Sequence, residues 1–579
     1  MKMSEYNRPN NSTYSPSSLE RVCNTGVLFL AVVVVFYCVW TLDRGFEITD
    51  EGYYLLLAIN ASTQKLYISA QHWITGWLWQ ITGSLAMFRA SGMVILLVTS
   101  IILALGTFSV CLRTGVLVDS YKVKLVVVAG SAVSAMLYAS TINLSPCYNL
   151  IASAGAYAAA GLVLLGSQSS SITHKYVLYA VAGCFIGAEA LSKASAGAST
   201  FLILVLWIYI FERSRFHKIS SLALIAAGAI GFSGIALLSN TTISDASQAI
   251  EQGMQLFRIV QTEPIDARLI RYAIQFSQNI ELTVVAFALP LISFGIYAKT
   301  RRMIFAILGL GVILVTLPFG GYLLGGWNDG RSLTPPFAIV AVLIIALILS
   351  IPVWKNNQKL IALFGGLIIL PYSVAMGTGN ALFTQVIVSL APWGTLIGVL
   401  MASHYPEYQS KMLVSLVGLC FIATVSIQII TSGLRPYHMS SALIEQDQAL
   451  TIENLGVVKV DAETHKFLTD IKAAAKECNV VPGAPFLGLY NIPGVALALQ
   501  AAPVMSPWLN NVAQAEFVLS RTHPVELRSV VVALNMENTG AWPPLPLQLK
   551  DFPSNYRYCG MATYPFGRQT IQIWQYLNL

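Results

Sequence analysis

The chain has 579 residues, of which 55% are hydrophobic and 11% charged, with a net charge of +7 and a mean hydropathy of +0.66. Soluble domains carry roughly 25% charged residues, so this composition excludes an ordinary soluble enzyme and points to a polytopic α-helical membrane protein. The positive balance is not the footprint of a nucleic-acid partner, because no contiguous basic patch with interleaved aromatics occurs.

Residues 1–24 are polar, rich in Ser and Asn, and are expected to form a disordered cytoplasmic tail. Apolar runs of about 17–25 residues, the length that crosses a bilayer, then recur through 25–431. Spans are expected near Val27–Trp40, Leu85–Val110, Val123–Tyr138, Leu150–Leu165, Tyr176–Leu191, Ala196–Phe211 and Ile219–Leu238. Others are expected near Leu282–Tyr297, Met303–Leu317, Phe337–Ile351, Leu360–Ala375, Leu382–Met401 and Met412–Ile430, about thirteen in all. The first run lacks a small-x-small cleavage site after Trp40 and reads as a retained signal anchor.

Basic residues mark every second connection, from Arg113, Lys122 and Lys124 through Lys175, Arg213, Arg215 and Lys218 to Arg301, Arg302, Lys355, Lys359 and Lys411. The positive-inside rule then places the N-terminus in the cytoplasm of a plasma (inner) membrane protein and everything after Ile430 outside it. Three outer segments are long enough to hold structure. They are the loop 41–84, rich in Tyr and Trp; the polar helical stretch Asn240–Glu281; and the Gly-rich loop Gly320–Pro336.

From 432 to 579 the composition changes to that of a small extracytoplasmic α/β domain. Asp461 is placed to cap a helix over Ala462–Cys478 with Phe467, Leu468 and Ile471 on its apolar face. Phe486–Tyr490, Phe517–Ser520, Ser529–Leu534 and Ile571–Trp574 read as short strands. Cys478 and Cys559 both fall in this region, where an oxidising compartment would let them pair; the other six cysteines lie in or beside spans as apolar fillers. No phosphate loop, nucleophile elbow or metal-spaced Cys/His cluster is found in the domain.

The chemistry concentrates in Thr49-Asp50-Glu51-Gly52-Tyr53-Tyr54, just past the first span, where Asp43 and Glu47 add to the negative charge. Carboxylates held at a membrane edge are expensive and mark functional sites. Asp50 is a candidate general base toward an acceptor hydroxyl or amine. Glu51 could hold the acceptor, tune its neighbour, or join Asp50 at a divalent cation. The bland account is that Thr49 or Asp50 caps the following helix.

Glu189 and Lys193 stand four residues apart, suiting either an intrahelical ion pair or a Lys193 that faces a phosphate. Arg331, beside Asn328 and Asp329 in the Gly-rich loop, offers a planar fork for phosphate oxygens; a solvated loop arginine is the alternative. Pro146-Cys147-Tyr148-Asn149 and Gly377-Thr378-Gly379-Asn380 form tight outer turns that turn chemistry alone explains. His72, with Trp73 and Trp77, could line a sugar or lipid site or simply pack at the interface.

The Asp50-Glu51 pair ahead of the aromatic-rich Gly52-Tyr53-Tyr54, in a long first outer loop, resembles the GT-C superfamily of membrane glycosyltransferases. The branch it looks most like contains the protein O-mannosyltransferases and the aminoarabinose transferase of lipid A. Arg89, Pro146 with Tyr148 and Asn149, Lys193, Pro371 through Asn380, and Pro436-Tyr437 also fit features of those proteins. The architectural match spans Leu28–Tyr437; beyond Tyr437 the resemblance specifies little.

The resemblance implies an inverting transfer of a sugar from a polyprenyl-phosphate donor to an extracytoplasmic acceptor, whether lipid, protein or glycan. Asp50 and Glu51 would form the catalytic pair, with Asp50 as base. Lys193 and Arg331 would take the donor phosphate. Substrate contacts would come from Tyr53, Tyr54, His72, Tyr148, Asn149, Asn328, Asp329 and Asn380. Metal use varies in the superfamily, and with no obvious ligand set here a divalent cation stays open.

Physical chemistry agrees with that implication. Outside the cell the sugar must arrive on a lipid, and positioning with electrostatic stabilisation of the departing phosphate carries the rate. A secondary transporter would instead place ionisable residues near mid-bilayer on broken helices of repeated halves. A polysaccharide ligase or polymerase would need a mid-chain outer loop rich in Arg and His, whereas Asn240–Glu281 has three arginines and no histidine. A non-catalytic scaffold requires a dispensable Asp50.

Overall fold

A computed structural model describes residues 18–66, 68–141, 143–239, 241–260, 263–323, 334–377, 379–405, 407–523, 529–536 and 541–577, with backbone only for 316–323 and 334–336. The membrane part runs α1 (Ser18–Thr41), α2 (Asp50–Ile59), α3 (Gln71–Thr82), α4 (Leu85–Arg113), α5 (Tyr121–Met136), α6 (Tyr148–Gln168), α7 (Ile172–Ser192) and α8 (Ala194–Phe211). It continues with α9 (Arg215–Leu238), α10 (Ile243–Val260), α11 (Ile265–Ala286), α12 (Ala288–Thr300) and α13 (Met303–Leu323). The last are α14 (Thr334–Leu349), α15 (Ile351–Trp354), α16 (Gln358–Ala375), α17 (Leu382–Ile387), α18 (Ala391–Ala402) and α19 (Tyr408–Ser432).

Among the described residues eight helices are long and apolar enough to cross a membrane, nine if the bent pair α11–α12 is one span. The chain is therefore a multi-pass membrane protein. All thirteen expected segments fall on helices, but two of them are broken in their interior. Leu282–Tyr297 straddles a 78° bend between α11 and α12, because Pro290 lacks an amide proton and sits in the first turn of a new helix. Leu382–Met401 divides into α17 and α18 for the same reason, with Pro392 at the start of α18. Apolar periodicity alone does not register either break.

Small residues let the spans approach closely, as they do where lipid offers no hydrophobic drive to association. A Cβ on Gly106 of α4 would lie 2.9 Å from Cα of Gly161 on α6, and one on Gly183 of α7 would lie 2.9 Å from Cα of Ile225 on α9.

After α19 come the antiparallel hairpin β1 (Gln448–Ile452) and β2 (Gly456–Val460), then α20 (Ala462–Glu477), β3 (Pro485–Leu489), α21 (Pro493–Ala498), β4 (Ala502–Pro503), α22 (Val512–Leu519), β5 (Val531–Met536), β6 (Tyr556–Tyr564) and β7 (Gln569–Tyr576). The five-stranded sheet has the order β4-β3-β5-β7-β6, with β3 parallel to β4 and β5 and the other pairs antiparallel. The Asp461 side chain caps α20 by accepting from the amides of Glu463 and Thr464. Phe517–Ser520, expected as a strand, is instead the end of α22, whose first turn the Asn511 side chain caps at Gln514. Three apolar residues in a row suit a buried strand and a buried helix equally, and the cap decides. A disulfide joins Cys478, at the end of α20, to Cys559 on β6.

One core binds this sheet to the first outer loop: Phe46, Ile48, Leu55 and Leu56 pack with Val458, Phe467, Val495 and Val531. Residues 43–45 extend the hairpin, since the Lys459 amide donates to the Asp43 carbonyl and the Gly45 amide to the Lys459 carbonyl, each at 2.7 Å. A boundary at residue 431 thus divides the chain where it leaves the last span, while the packed core crosses it.

Candidate active site

The short helix α2 starts where four acids fall within nine residues, and the fold gives each a different task. Glu47, not Thr49 or Asp50, caps the helix. Its Oε1 accepts the Thr49 amide at 2.6 Å and the Thr49 hydroxyl, and its Oε2 accepts the Glu51 amide at 2.8 Å. Thr49 makes no side-chain cap bond. Burial pushes the Glu47 carboxyl up from its ordinary value; the hydrogen bond with His438 opposes this, and the charge of Asp50 adds to it. Asp43 pairs with Lys459 of β2 at 2.6 Å.

Glu51 is fully buried (0% exposed) and saturated with donors. Arg89 of α4 reaches it through Nε at 2.8 Å and Nη2 at 2.6 Å; Asn143 Nδ2 donates at 2.9 Å and Ser145 Oγ at 2.6 Å. Those four bonds fill both oxygens, so Glu51 is a structural anchor in this geometry and has no lone pair left for an acceptor or a metal ion. The donor set therefore does not fit a divalent cation shared by Asp50 and Glu51. Among the described residues no group of three or more His, Cys, Asp or Glu side chains suits a metal.

Asp50 remains. It is half-buried, and Tyr437 donates its hydroxyl to Oδ2 at 2.6 Å; no other hydrogen bond reaches its carboxylate among the described residues. The helix itself offers it no donors, because the amides of Glu51, Gly52 and Tyr53 are taken by Glu47 Oε2, the Glu47 carbonyl and the Thr49 carbonyl.

Around Asp50 the fold gathers an aromatic wall. The Tyr53 ring lies 5.5 Å from Tyr54 and 5.5 Å from Trp508 of the terminal domain, and Tyr54 lies 5.9 Å from Tyr148 at the start of α6. A cavity of about 30 Å³ behind the motif, between Arg89, Asn143 and Tyr437, has room for a water and not for a sugar ring.

Next to Tyr148, Asn149 is 1% exposed and receives Lys193 Nζ on Oδ1 at 3.5 Å, while Lys193 also donates to the Val374 carbonyl of α16 at 2.7 Å. The expected ion pair with Glu189 is not formed: Glu189 Oε1 accepts from Thr200 at 2.8 Å instead. The reason is that Lys193 sits in the break between α7 and α8 with an extended ψ of 88°, which turns it off the helical i, i+4 path. The break also anchors the far end of the outer loop, where Ser69 Oγ donates to the Ser192 carbonyl at 2.8 Å.

The structure thus brings together Asp50, Glu51, Tyr53, Tyr54, Tyr148, Asn149 and Lys193. His72 is 1% exposed on α3 with its ring 4.8 Å from Trp73, and burial pushes its imidazole down to about 4. Asn380 is exposed on the turn after α16. Asn328, Asp329 and Arg331 lie outside the described residues. Sequence reasoning missed Asn143, Ser145, His438 and Trp508. Asn143 and Ser145 stand just before the Pro146–Asn149 turn and His438 just after Pro436-Tyr437, stretches noted above, while nothing adjacent marks Trp508.

No protein-family model matches the chain, and no curated protein sequence matches it. Among solved structures it is similar to the oligosaccharyltransferase of Archaeoglobus fulgidus in complex with Zn and sulfate, at 13% identity and a TM-score of 0.45, covering 97% of this chain and 73% of that one. It is also similar to ArnT from Cupriavidus metallidurans in the apo state, at 12% identity and a TM-score of 0.40, over 95% of this chain and 98% of that one. Arabinosyltransferase EmbB from Mycobacterium smegmatis matches at 12% identity and a TM-score of 0.31, over 74% of this chain and 42% of that one.

Proposed function

We propose that this protein transfers a sugar from a polyprenyl-phosphate donor to an acceptor outside the membrane, with Asp50 as general base. One observation carries the reading. Of four clustered acids, Glu47 and Glu51 are buried with both carboxylate oxygens taken, Asp43 pairs with Lys459 at the exposed edge of the hairpin, and Asp50, among the described residues, keeps an uncommitted carboxylate oxygen beside a wall of tyrosines. The acceptor hydroxyl or amine attacks the anomeric carbon and loses its proton to Asp50. The bond from that carbon to the phosphate oxygen breaks, and its electron pair leaves with the polyprenyl phosphate. A single displacement inverts the anomeric centre.

The leaving phosphate would meet Lys193 and the start of α8. That helix has no side-chain N-cap bond, so its first amides stay available to an anion. Two buried groups there, Asn149 Nδ2 and Ser192 Oγ, have no hydrogen-bond partner among the described residues. Arg331 remains a proposed second phosphate contact.

For the prenyl chain, an apolar groove of about 390 Å³ runs between α9 and α10, lined by Leu237, Leu238, Ile243, Ile250 and Met254. Leu237 also packs in the cluster that contains Leu191, two residues before Lys193, so the groove leads toward the proposed phosphate site. The Cys478–Cys559 disulfide supports an oxidising compartment for the terminal domain, and hence an outward-facing Asp50.

The test is incubation of purified protein with radiolabelled polyprenyl-phosphate sugars and cell-envelope fractions. Wild type is expected to incorporate label, and Asp50→Asn to lose roughly 10²–10⁴-fold, the range of a general base. Equal incorporation by both would overturn the assignment. Failure with every lipid donor, together with solute flux in liposomes, would establish a transporter instead.

A further inference from the structure

We infer that Tyr437 is a positioning residue for Asp50, supplied by the linker that joins the last span to the terminal domain; the inference rests on the reading of Asp50 as the base. Tyr437 lies past the end of α19 at Ser432 and returns 387 residues along the sequence to place its hydroxyl 2.6 Å from Asp50 Oδ2. Asp50 heads a helix whose early amides are already taken, so no local donor competes for its carboxylate. The phenol therefore selects one carboxylate orientation, occupying Oδ2 and leaving Oδ1 to receive the acceptor's proton.

Tyr437 is itself held from two sides. The His438 ring stacks on it at 3.8 Å between centroids, and His438 Nδ1 lies 2.9 Å from Thr49 Oγ1 and 3.6 Å from Glu47 Oε1, at the cap of the same helix. From the domain, Tyr564 donates its hydroxyl to the His438 carbonyl at 2.9 Å, and the Phe566 ring lies 5.0 Å from the His438 ring. His438 adopts a left-handed φ of 51°, an uncommon conformation for a residue other than glycine. The arrangement makes the terminal domain part of the catalytic geometry: if the sheet undocks, the tyrosine leaves the base.

The test is a mutant cycle on full-length protein in the transfer assay. Tyr437→Phe is expected to lower kcat about 10- to 100-fold, the scale of a misplaced catalytic group, with KM for the lipid donor within about twofold and an unchanged unfolding temperature. Asp50→Glu moves the carboxylate a methylene away from the phenol. In that background Tyr437→Phe is expected to cost less than about twofold, because coupled residues are not additive. Tyr564→Phe, which loosens the linker without touching Asp50, is expected to follow the same pattern.

A Tyr437→Phe enzyme with wild-type kcat, or an equal fold-loss in both backgrounds, overturns the inference while Asp50→Asn stays inactive. If Asp50→Asn keeps its activity, the base reading itself falls and this one with it.

Discussion

Replacing Arg89 by methionine should do more damage than any other single change near the motif. The guanidinium has five N–H donors, and the structure uses all five: two on Glu51, one each on the carbonyls of Leu42, Arg44 and Gly45. The two bonds to the carboxylate are charge-assisted, of the kind worth about 1.5–3 kcal/mol each, and the three to carbonyls are worth about 1 kcal/mol each. Desolvation of two buried charges offsets much of that sum, so the net figure follows from broken buried pairs, about 3–5 kcal/mol. Most of the loss comes from leaving Glu51 charged and buried with only Asn143 and Ser145 as donors.

Neutralising that carboxylate as well, in Arg89→Met with Glu51→Gln, should therefore recover part of the loss rather than add to it. Arg89→Lys keeps the charge but has three donors for five acceptors, and should fall between wild type and Arg89→Met. Equilibrium unfolding in detergent, followed by tryptophan fluorescence, measures all four proteins. Stability of Arg89→Met within about 1 kcal/mol of wild type, or a double variant less stable than Arg89→Met itself, would refute the reasoning.

Four further outcomes are expected. Gly52→Ala places a Cβ 2.6 Å from the Gly494 amide nitrogen, backbone that cannot yield, so α2 should separate from the terminal domain; faster proteolysis around 41–49 and a lowered Tm would show it. His72 titrates at about 4 when folded against an ordinary 6.5, so the unfolded chain binds its proton first as pH falls. Its stabilisation is present above about pH 6.5 and lost toward pH 4, with a slope approaching about 1.4 kcal/mol per pH unit; thermal unfolding of His72→Phe across that window should show a flatter profile than wild type. Serine at both Cys478 and Cys559 opens a link between residues 81 apart, for which chain entropy gives about 4.5 kcal/mol; a Tm drop reproduced by reductant on wild type would confirm it, and no drop would count against it. Lys193→Met should weaken donor binding, seen as a raised KM for the lipid substrate, with Tm close to wild type; an unchanged KM would remove Lys193 from the phosphate site.

Much of the architecture was legible in the residues. Run length and low charge placed helices at all thirteen expected segments, and Asp461 announced α20 through its own cap. These signals are local: apolar content, a capping oxygen and the missing amide of a proline act on neighbours within a few residues. Even the two broken segments had their cause in the sequence, at Pro290 and Pro392, although an apolar window does not weigh a single missing donor.

The sequence by itself determined that an acidic pair would stand at the membrane edge behind an aromatic stretch. It did not determine which acid would be left to act, for Asp43, Glu47, Asp50 and Glu51 carry the same chemistry within nine residues. On the proposed reading, that choice is made by the tertiary structure. Lys459 took the first, the helix start took the second, and Arg89 with Asn143 and Ser145 took the last. Asp50 met a tyrosine arriving from beyond the final span. A carboxylate's role depends on how many donors surround it in space, and those donors sit on elements that only the completed packing brings within hydrogen-bond reach.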